Sequence, residues 1–117
     1  MAIVAPTPGN PASEFRRRGA VASVAINSTI GSADAIDMRN WADAAILIPA
    51  SVTSVTFWGC DTGDGTPKAI YDADGNAATI STTADRWYTF PASVFPHNFV
   101  KIVSAGANGT ATCVFKS

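Results

Sequence analysis

Short runs rich in β-branched residues recur along this chain, and turn residues separate them about every 8 to 12 positions. With one Glu and no Gln, the sequence offers few segments with the composition of a stable helix. β-branched side chains fit a pleated surface, whereas Gly and Asp favour turns. The pattern predicts an all-β protein, a single β-sandwich or jelly roll of about eight or nine short antiparallel strands. The predicted strands span residues 20–27, 32–38, 44–49, 51–60, 67–72, 77–82, 86–90, 99–104 and 110–116.

The first nineteen residues have a different character from the rest. They hold three of the seven prolines, together with the basic run Arg16–Arg18. Proline has no amide donor and disfavours the helical region for the residue before it, so this stretch should be extended. The sequence predicts a Pro-rich basic arm over residues 1–19 and a β-sandwich domain over residues 20–117.

Charge and hydropathy exclude several classes of protein. The net charge is −1, so no overall field favours nucleic acid or an anionic membrane. No signal peptide is visible, and no stretch approaches the roughly 20 apolar residues of a membrane helix. We therefore expect a protein made in the cytoplasm that binds neither nucleic acid nor a membrane. Cys60 and Cys113 lie in no CxxC pair, which favours buried free thiols, with a disulfide between neighbouring strands as the alternative.

The acidic segment DTGDGTPKAIYDADGNAATI (61–80) raises the question of a calcium site. Asp72, Asp74 and Asn76 begin like an EF-hand loop, but the twelfth position is Thr83 and no Glu follows. Asp-Gly between β-rich runs indicates instead a hairpin turn with positive φ at both central residues. We therefore predict turns here, and a further hairpin through the loop AGANG (105–109).

No catalytic constellation is evident. His97 is the single histidine and lies in a predicted loop, and the sequence has neither a GxSxG segment nor a glycine-rich phosphate loop. We expect a protein that is not an enzyme and has no cofactor and no metal. Among the three tryptophans, Trp58 and Trp87 are expected to pack in the core. Trp41, in the polar segment RNWAD, is the best candidate for an exposed residue that stacks on a sugar.

One succession of segments resembles a family of small β-sandwich virion proteins of tailed phages. The segments are IDMRNW (36–41), AILIPA (45–50), VTFW (55–58), IYDADG (70–75), Phe95 and VKIVS (100–104). The resemblance covers about residues 33–116 and implies a non-enzymatic structural protein of the virion, assembled from protein made in the host cytoplasm.

Within that resemblance, the expected role is a capsid decoration or cement protein that forms a homo-oligomer. Its partner would be the major capsid protein or another virion protein, bound through the arm. Phe15 would anchor the contact, and Arg16, Arg17 and Arg18 would pair with capsid carboxylates. The alternatives are a carbohydrate-binding β-sandwich module that uses Trp41, and a structural protein of the tail or of the head–tail connector.

Overall fold

A computed structural model describes residues 19–117, which form nine β-strands and two 3-10 helical turns. Each predicted strand overlaps one observed strand. The turns are Ile30–Ser32 and Ala92–Val94. The strands are β1 Gly19–Ile26, β2 Ile36–Asp37, β3 Asp43–Leu47, β4 Ser54–Cys60, β5 Lys68–Ala69, β6 Thr79–Ser81, β7 Trp87–Thr89, β8 Phe99–Ala105 and β9 Gly109–Lys116.

The strands form two antiparallel sheets, and the predicted all-β sandwich-like fold is confirmed. Sheet A has the order β1-β9-β3-β7. Sheet B has the order β2-β8-β4, and β5 and β6 share the other side of β4. The longest strands lie in the middle of the sheets or at one edge of sheet A, whereas the other edge strands have two or three residues.

The core lies between the inner faces of the two sheets. Along β4, Val55 and Phe57 are fully buried, while the intervening Thr56 and the following Trp58 face outward and are partly exposed. Aromatic rings join the sheets: Phe57 lies 4.9 Å from Phe90, measured between ring centroids. Because each fully buried apolar side chain contributes about 1.5–3 kcal/mol, this shared layer is the main source of stability.

The predicted hairpin between β8 and β9 is wrong. β8 pairs with β2 and β4 in sheet B, whereas β9 pairs with β1 and β3 in sheet A. Residues 106–108 therefore carry the chain from one sheet to the other. Since each strand already has a neighbour on both sides, neither has a free edge with which to pair with the other.

The acidic segment 61–80 forms turns, as predicted. The carboxylate Oδ1 of Asp72 accepts hydrogen bonds from the backbone N–H groups of Asp74 and Asn76, both at 2.9 Å. Only Gly75 has positive φ, at 82°, so the expectation that both central residues would have positive φ is wrong. Earlier in the segment, the Gly65 N–H donates to the Thr62 carbonyl at 3.1 Å. The Asp72 carboxylate thus has a structural role in closing its own turn.

The two cysteines are free and buried, as the sequence favours. Cys113 lies on the inner face of β9, and burial raises the pKa of its thiol to about 12. Because the thiolate is the nucleophilic form of cysteine, this side chain behaves as a small apolar core residue.

Candidate functional site

The described chain begins at the edge of sheet A. Phe15 and Arg16–Arg18, the predicted partner-binding residues, lie outside the described residues, and their role stays a prediction. Gly19 is already part of β1 and pairs with Lys116 of β9. Any contact made by the arm is therefore delivered from an edge strand of sheet A.

A concavity, which we call the edge groove, lies beside that strand. It has a volume of about 370 Å³ and runs between β1 of sheet A and residues 34–37 of sheet B. The alanine side chains of β1 leave room between the sheets at this edge. The groove is lined by Ala20, Ala22, Ser23, Val24, Asp34, Ala35, Ile36, Asp37, Trp41 and Phe115.

Trp41 lies in this groove and is half-buried. Its ring centroid is 5.9 Å from that of Phe115, with the two planes tilted by 39°. The sequence predicts Trp41 as the most exposed tryptophan, which is wrong because the ring packs against the edge of the core. The groove nevertheless leaves part of the indole accessible, so an aromatic surface and two carboxylates, Asp34 and Asp37, line one cleft.

Asp34 is held against the free edge of β1. Its Oδ2 accepts the Ala25 N–H at 2.7 Å, and its own backbone N–H donates to the Ala25 carbonyl at 3.0 Å. The side chain thus binds a backbone group that pairs with none of the described strands. It also places a carboxylate at the C-terminal end of β1, on the edge of the sandwich.

Asp37 forms a two-pronged ion pair with Arg39. The guanidinium Nη2 and Nε donate to the two carboxylate oxygens at 2.8 and 3.0 Å, and the Arg39 backbone N–H donates to Oδ1 at 3.1 Å. Hydrogen bonds from the Arg39 side chain lower the pKa of Asp37 to about 2. The same guanidinium lies 5.0 Å from the ring centroid of Phe99. Asp37 is therefore charged and paired, whereas the partners of Asp34 within residues 19–117 are backbone groups.

The outer face of sheet A is a second accessible surface. Cross-strand pairing aligns Val21, Val114, Ala45 and Thr89 in one row, and this row contains no charged residue. Val21 is 71% exposed. In the neighbouring row, Leu47 lies beside Trp87, which is 52% exposed.

The exposure of Trp87 overturns the prediction that it packs in the core. Its neighbour Tyr88 pairs with the buried Ile46 and packs against the core, so Trp87 points to the opposite face. Since β7 has only three residues, alternation along the sequence is too short to show which aromatic faces inward. Trp58, also expected in the core, is half-buried on the outer face of sheet B.

Residues 19–117 also bear on three other possibilities: a metal site, a free histidine side chain and a membrane-spanning helix. No three His, Cys, Asp or Glu side chains in this range gather in a group suited to a metal ion. The imidazole of His97 packs over Gly59, where an added Cβ would lie 2.7 Å from Nδ1. None of the helical segments in this part of the chain has the length and apolar character needed to cross a membrane.

Comparison with solved structures finds a protein of similar fold. No protein-family model matches the sequence, and no curated protein matches it. The fold is similar to that in the crystal structure of the SPBc2 prophage-derived protein YomS, with a TM-score of 0.56 and 13% sequence identity. The match covers 87% of this chain and 96% of that chain. At this level of identity the likeness establishes a shared fold with a prophage-derived protein.

Proposed function

We propose that this protein is a non-enzymatic structural component of a bacteriophage virion that decorates or cements the capsid. The observation that carries the proposal is the fold shared with a prophage-derived protein over nearly the whole of both chains. The family of small virion proteins that the sequence resembles points to the same setting. The major capsid protein is the partner, and the particle is the place of action.

The architecture suits attachment to a repetitive shell. A short sandwich carries a basic arm at one sheet edge, beside an outer sheet face in which one row of residues is uncharged. A Pro-rich segment with a basic run can follow a partner surface and pair with its carboxylates. Many copies on a symmetric shell multiply the strength of a weak single contact.

Phe15 and Arg16–Arg18 are the proposed contact residues. An aromatic ring supplies buried apolar area, and arginine binds carboxylates in a planar, two-pronged geometry. The shell surface that receives the arm should therefore be acidic around an apolar pocket.

Co-sedimentation with undecorated heads of the phage tests this proposal. The full chain should bind saturably, and a variant lacking residues 1–18 should bind at least about tenfold more weakly. Gly19 is kept because it belongs to β1. Lys101→Gln is a matched control, since it removes a positive charge from sheet B and should leave binding unchanged. Undiminished binding by the truncated protein would refute the role of the arm, and failure of the full chain to bind would refute the decoration role.

A structural role in the tail or the head–tail connector differs from capsid decoration only in where the protein lies on the particle. The same experiment with purified tails distinguishes them. Saturable binding to tails and none to heads would move the protein to that part of the particle.

A carbohydrate-binding role is the second candidate, and the edge groove is the observation that favours it. Trp41 offers part of an indole face there, and the carboxylates of Asp34 and Asp37 can accept hydrogen bonds from sugar hydroxyls. A bound glycan should change the tryptophan fluorescence of the full chain, and Trp41→Phe should reduce that change. Trp87→Phe is the matched control on the outer face of sheet A. No change with any glycan in a broad screen would exclude this candidate.

A further inference from the structure

Among the described residues, β1 is a long edge strand that is left open over most of its length. β1 has eight residues, GAVASVAI, with no charged residue and no proline. The other edge strands, β2, β5, β6 and β7, have two or three residues each. Soluble proteins usually shorten, bend or charge such edges, because an open row of backbone groups pairs readily with another strand. The length and sequence of β1 therefore make its edge a candidate for pairing with another strand.

The direction of the backbone groups on that edge follows from Asp34. Both the N–H and the carbonyl of Ala25 point away from β9, because they pair with Asp34. In an antiparallel strand alternate residues point to the same side, so the N–H and carbonyl groups of Gly19, Val21 and Ser23 also point outward. No described residue provides partners for these three. The open part of the edge therefore runs from Gly19 to Ser23, and Asp34 closes its far end.

We infer that β1 pairs with β1 of a second copy of this chain, antiparallel and centred on Val21. In this register Val21 lies opposite Val21 of the second copy, and Gly19 lies opposite Ser23. The register thus contains three pairs: one between the two copies of Val21, and two between Gly19 of one copy and Ser23 of the other. All three are hydrogen-bonded pairs, in which the two residues exchange both backbone hydrogen bonds. The two copies are related by a two-fold axis, and their A sheets join into one continuous eight-stranded sheet. The inference rests on this edge and does not depend on the proposed function.

Charge complementarity supports a second copy as the occupant. In the antiparallel arrangement, the chain before Gly19 runs past Ser23 of the second copy toward the end of the edge that Asp34 closes. Arg16–Arg18 immediately precede Gly19 and so approach Asp34 of the second copy. The same contact occurs twice by symmetry. The arginines therefore strengthen the pairing and fix its direction.

The arm of the same copy is a poorer occupant of the edge. To pair with its own β1, the chain would have to reverse direction at Arg16–Arg18, whereas tight hairpin turns favour Gly, Asn or Asp. The returning strand would also place Pro11 at the open part of the edge, and proline lacks the N–H needed for pairing.

The first test is the mass of the full chain in solution as a function of concentration, by sedimentation equilibrium. The wild type should be a dimer, and Val21→Lys should dissociate it with a dissociation constant at least about tenfold higher, because two like charges meet at the axis. Thr89→Lys places the same charge on the same face of sheet A at the opposite edge, and it should remain dimeric.

The second test reads the register. The Cα atoms of a hydrogen-bonded antiparallel pair are about 5.5 Å apart, a separation that a disulfide can bridge. Val21→Cys should therefore form a covalent dimer under mild oxidation. Ser23→Cys should not, because the two copies of position 23 lie four residues apart along the strands, about 14 Å. The native Cys60 and Cys113 are buried, and the wild type therefore gives the background level of crosslinking.

The third test addresses the arginines. Replacing Arg16, Arg17 and Arg18 by Gln should weaken the dimer, by up to about fivefold for each exposed ion pair lost, and the difference should vanish at high salt.

Three results would overturn the inference. These are a wild type that stays monomeric at every concentration, a Val21→Lys variant as dimeric as Thr89→Lys, and equal crosslinking at positions 21 and 23. A monomeric full chain whose truncation at residue 18 causes dimerisation would assign the edge to the protein's own arm instead.

Discussion

At the scale of single residues, the ion pair between Asp37 and Arg39 is the strongest electrostatic feature of the edge groove. The two residues are close in sequence, and the Asp37 carboxylate accepts both side-chain and backbone hydrogen bonds from Arg39. Because these bonds favour the charged form, they lower the pKa of Asp37 from 3.8 to about 2. The pair thus holds the segment that follows β2, next to one wall of the groove.

We predict that Asp37 titrates near pH 2 in the folded protein and that Arg39→Gln returns its pKa toward 3.8. A lowered pKa means that the pair stabilises the fold above about pH 4 and that this contribution is lost as the pH falls toward 2. Carboxyl NMR titration measures both values. Arg86→Gln is the control and should leave the titration of Asp37 unchanged. An Asp37 pKa that is the same with and without the Arg39 guanidinium would contradict the assignment.

At the scale of elements, the connection between β8 and β9 depends on Gly106. This residue has φ of 89°, and a Cβ built on it would lie 2.5 Å from the Ser51 carbonyl oxygen. Gly75, in the turn closed by Asp72, also has positive φ, but open space surrounds it. Gly31 has neither restriction. The three glycines therefore separate backbone strain from steric contact.

We predict a graded series of alanine substitutions at these glycines. Gly31→Ala should change the free energy of unfolding by less than about 0.5 kcal/mol. Gly75→Ala should cost about 1–2 kcal/mol because of its φ angle alone. Gly106→Ala should cost about 3 kcal/mol, since steric overlap adds to the same strain. Urea unfolding monitored by circular dichroism gives the three values, and a Gly106→Ala variant as stable as Gly31→Ala would refute the tight crossing between sheets.

The sequence predicts the elements better than their pairing. Alternation and turn residues locate all nine strands, because both are local properties of the chain. The crossing at residues 106–108 is not predictable in this way, since a short Gly-containing loop serves a hairpin and a crossing between sheets alike. The exposure of Trp87 and the burial of Trp41 against Phe115 have the same origin: each depends on which neighbouring strand covers the ring. The edge groove, formed by β1 and residues 34–37, follows from the sheet order and has no signature in the sequence.

At the scale of the whole molecule, the two sheets share one apolar layer. Phe57 belongs to sheet B and contacts Phe90, which follows β7 of sheet A. Phe90 in turn meets the edge of Phe115 in β9, with ring centroids 6.1 Å apart. Neither sheet covers its own apolar face, so neither should persist without the other.

We therefore predict that both sheets unfold in one transition and that Phe57→Ala destabilises them together by about 3–5 kcal/mol. Two single-tryptophan variants provide the measurement: one retains Trp58 in sheet B, and the other retains Trp87 in sheet A. In urea, the fluorescence of each should follow the circular dichroism of the same variant, and Phe57→Ala should lower both midpoints. Tyr71→Ala is the matched control, because Tyr71 is 61% exposed and its loss should change the free energy by less than about 0.5 kcal/mol. Separate transitions for the two tryptophans, or a Phe57→Ala effect confined to Trp58, would show that the sheets have independent cores.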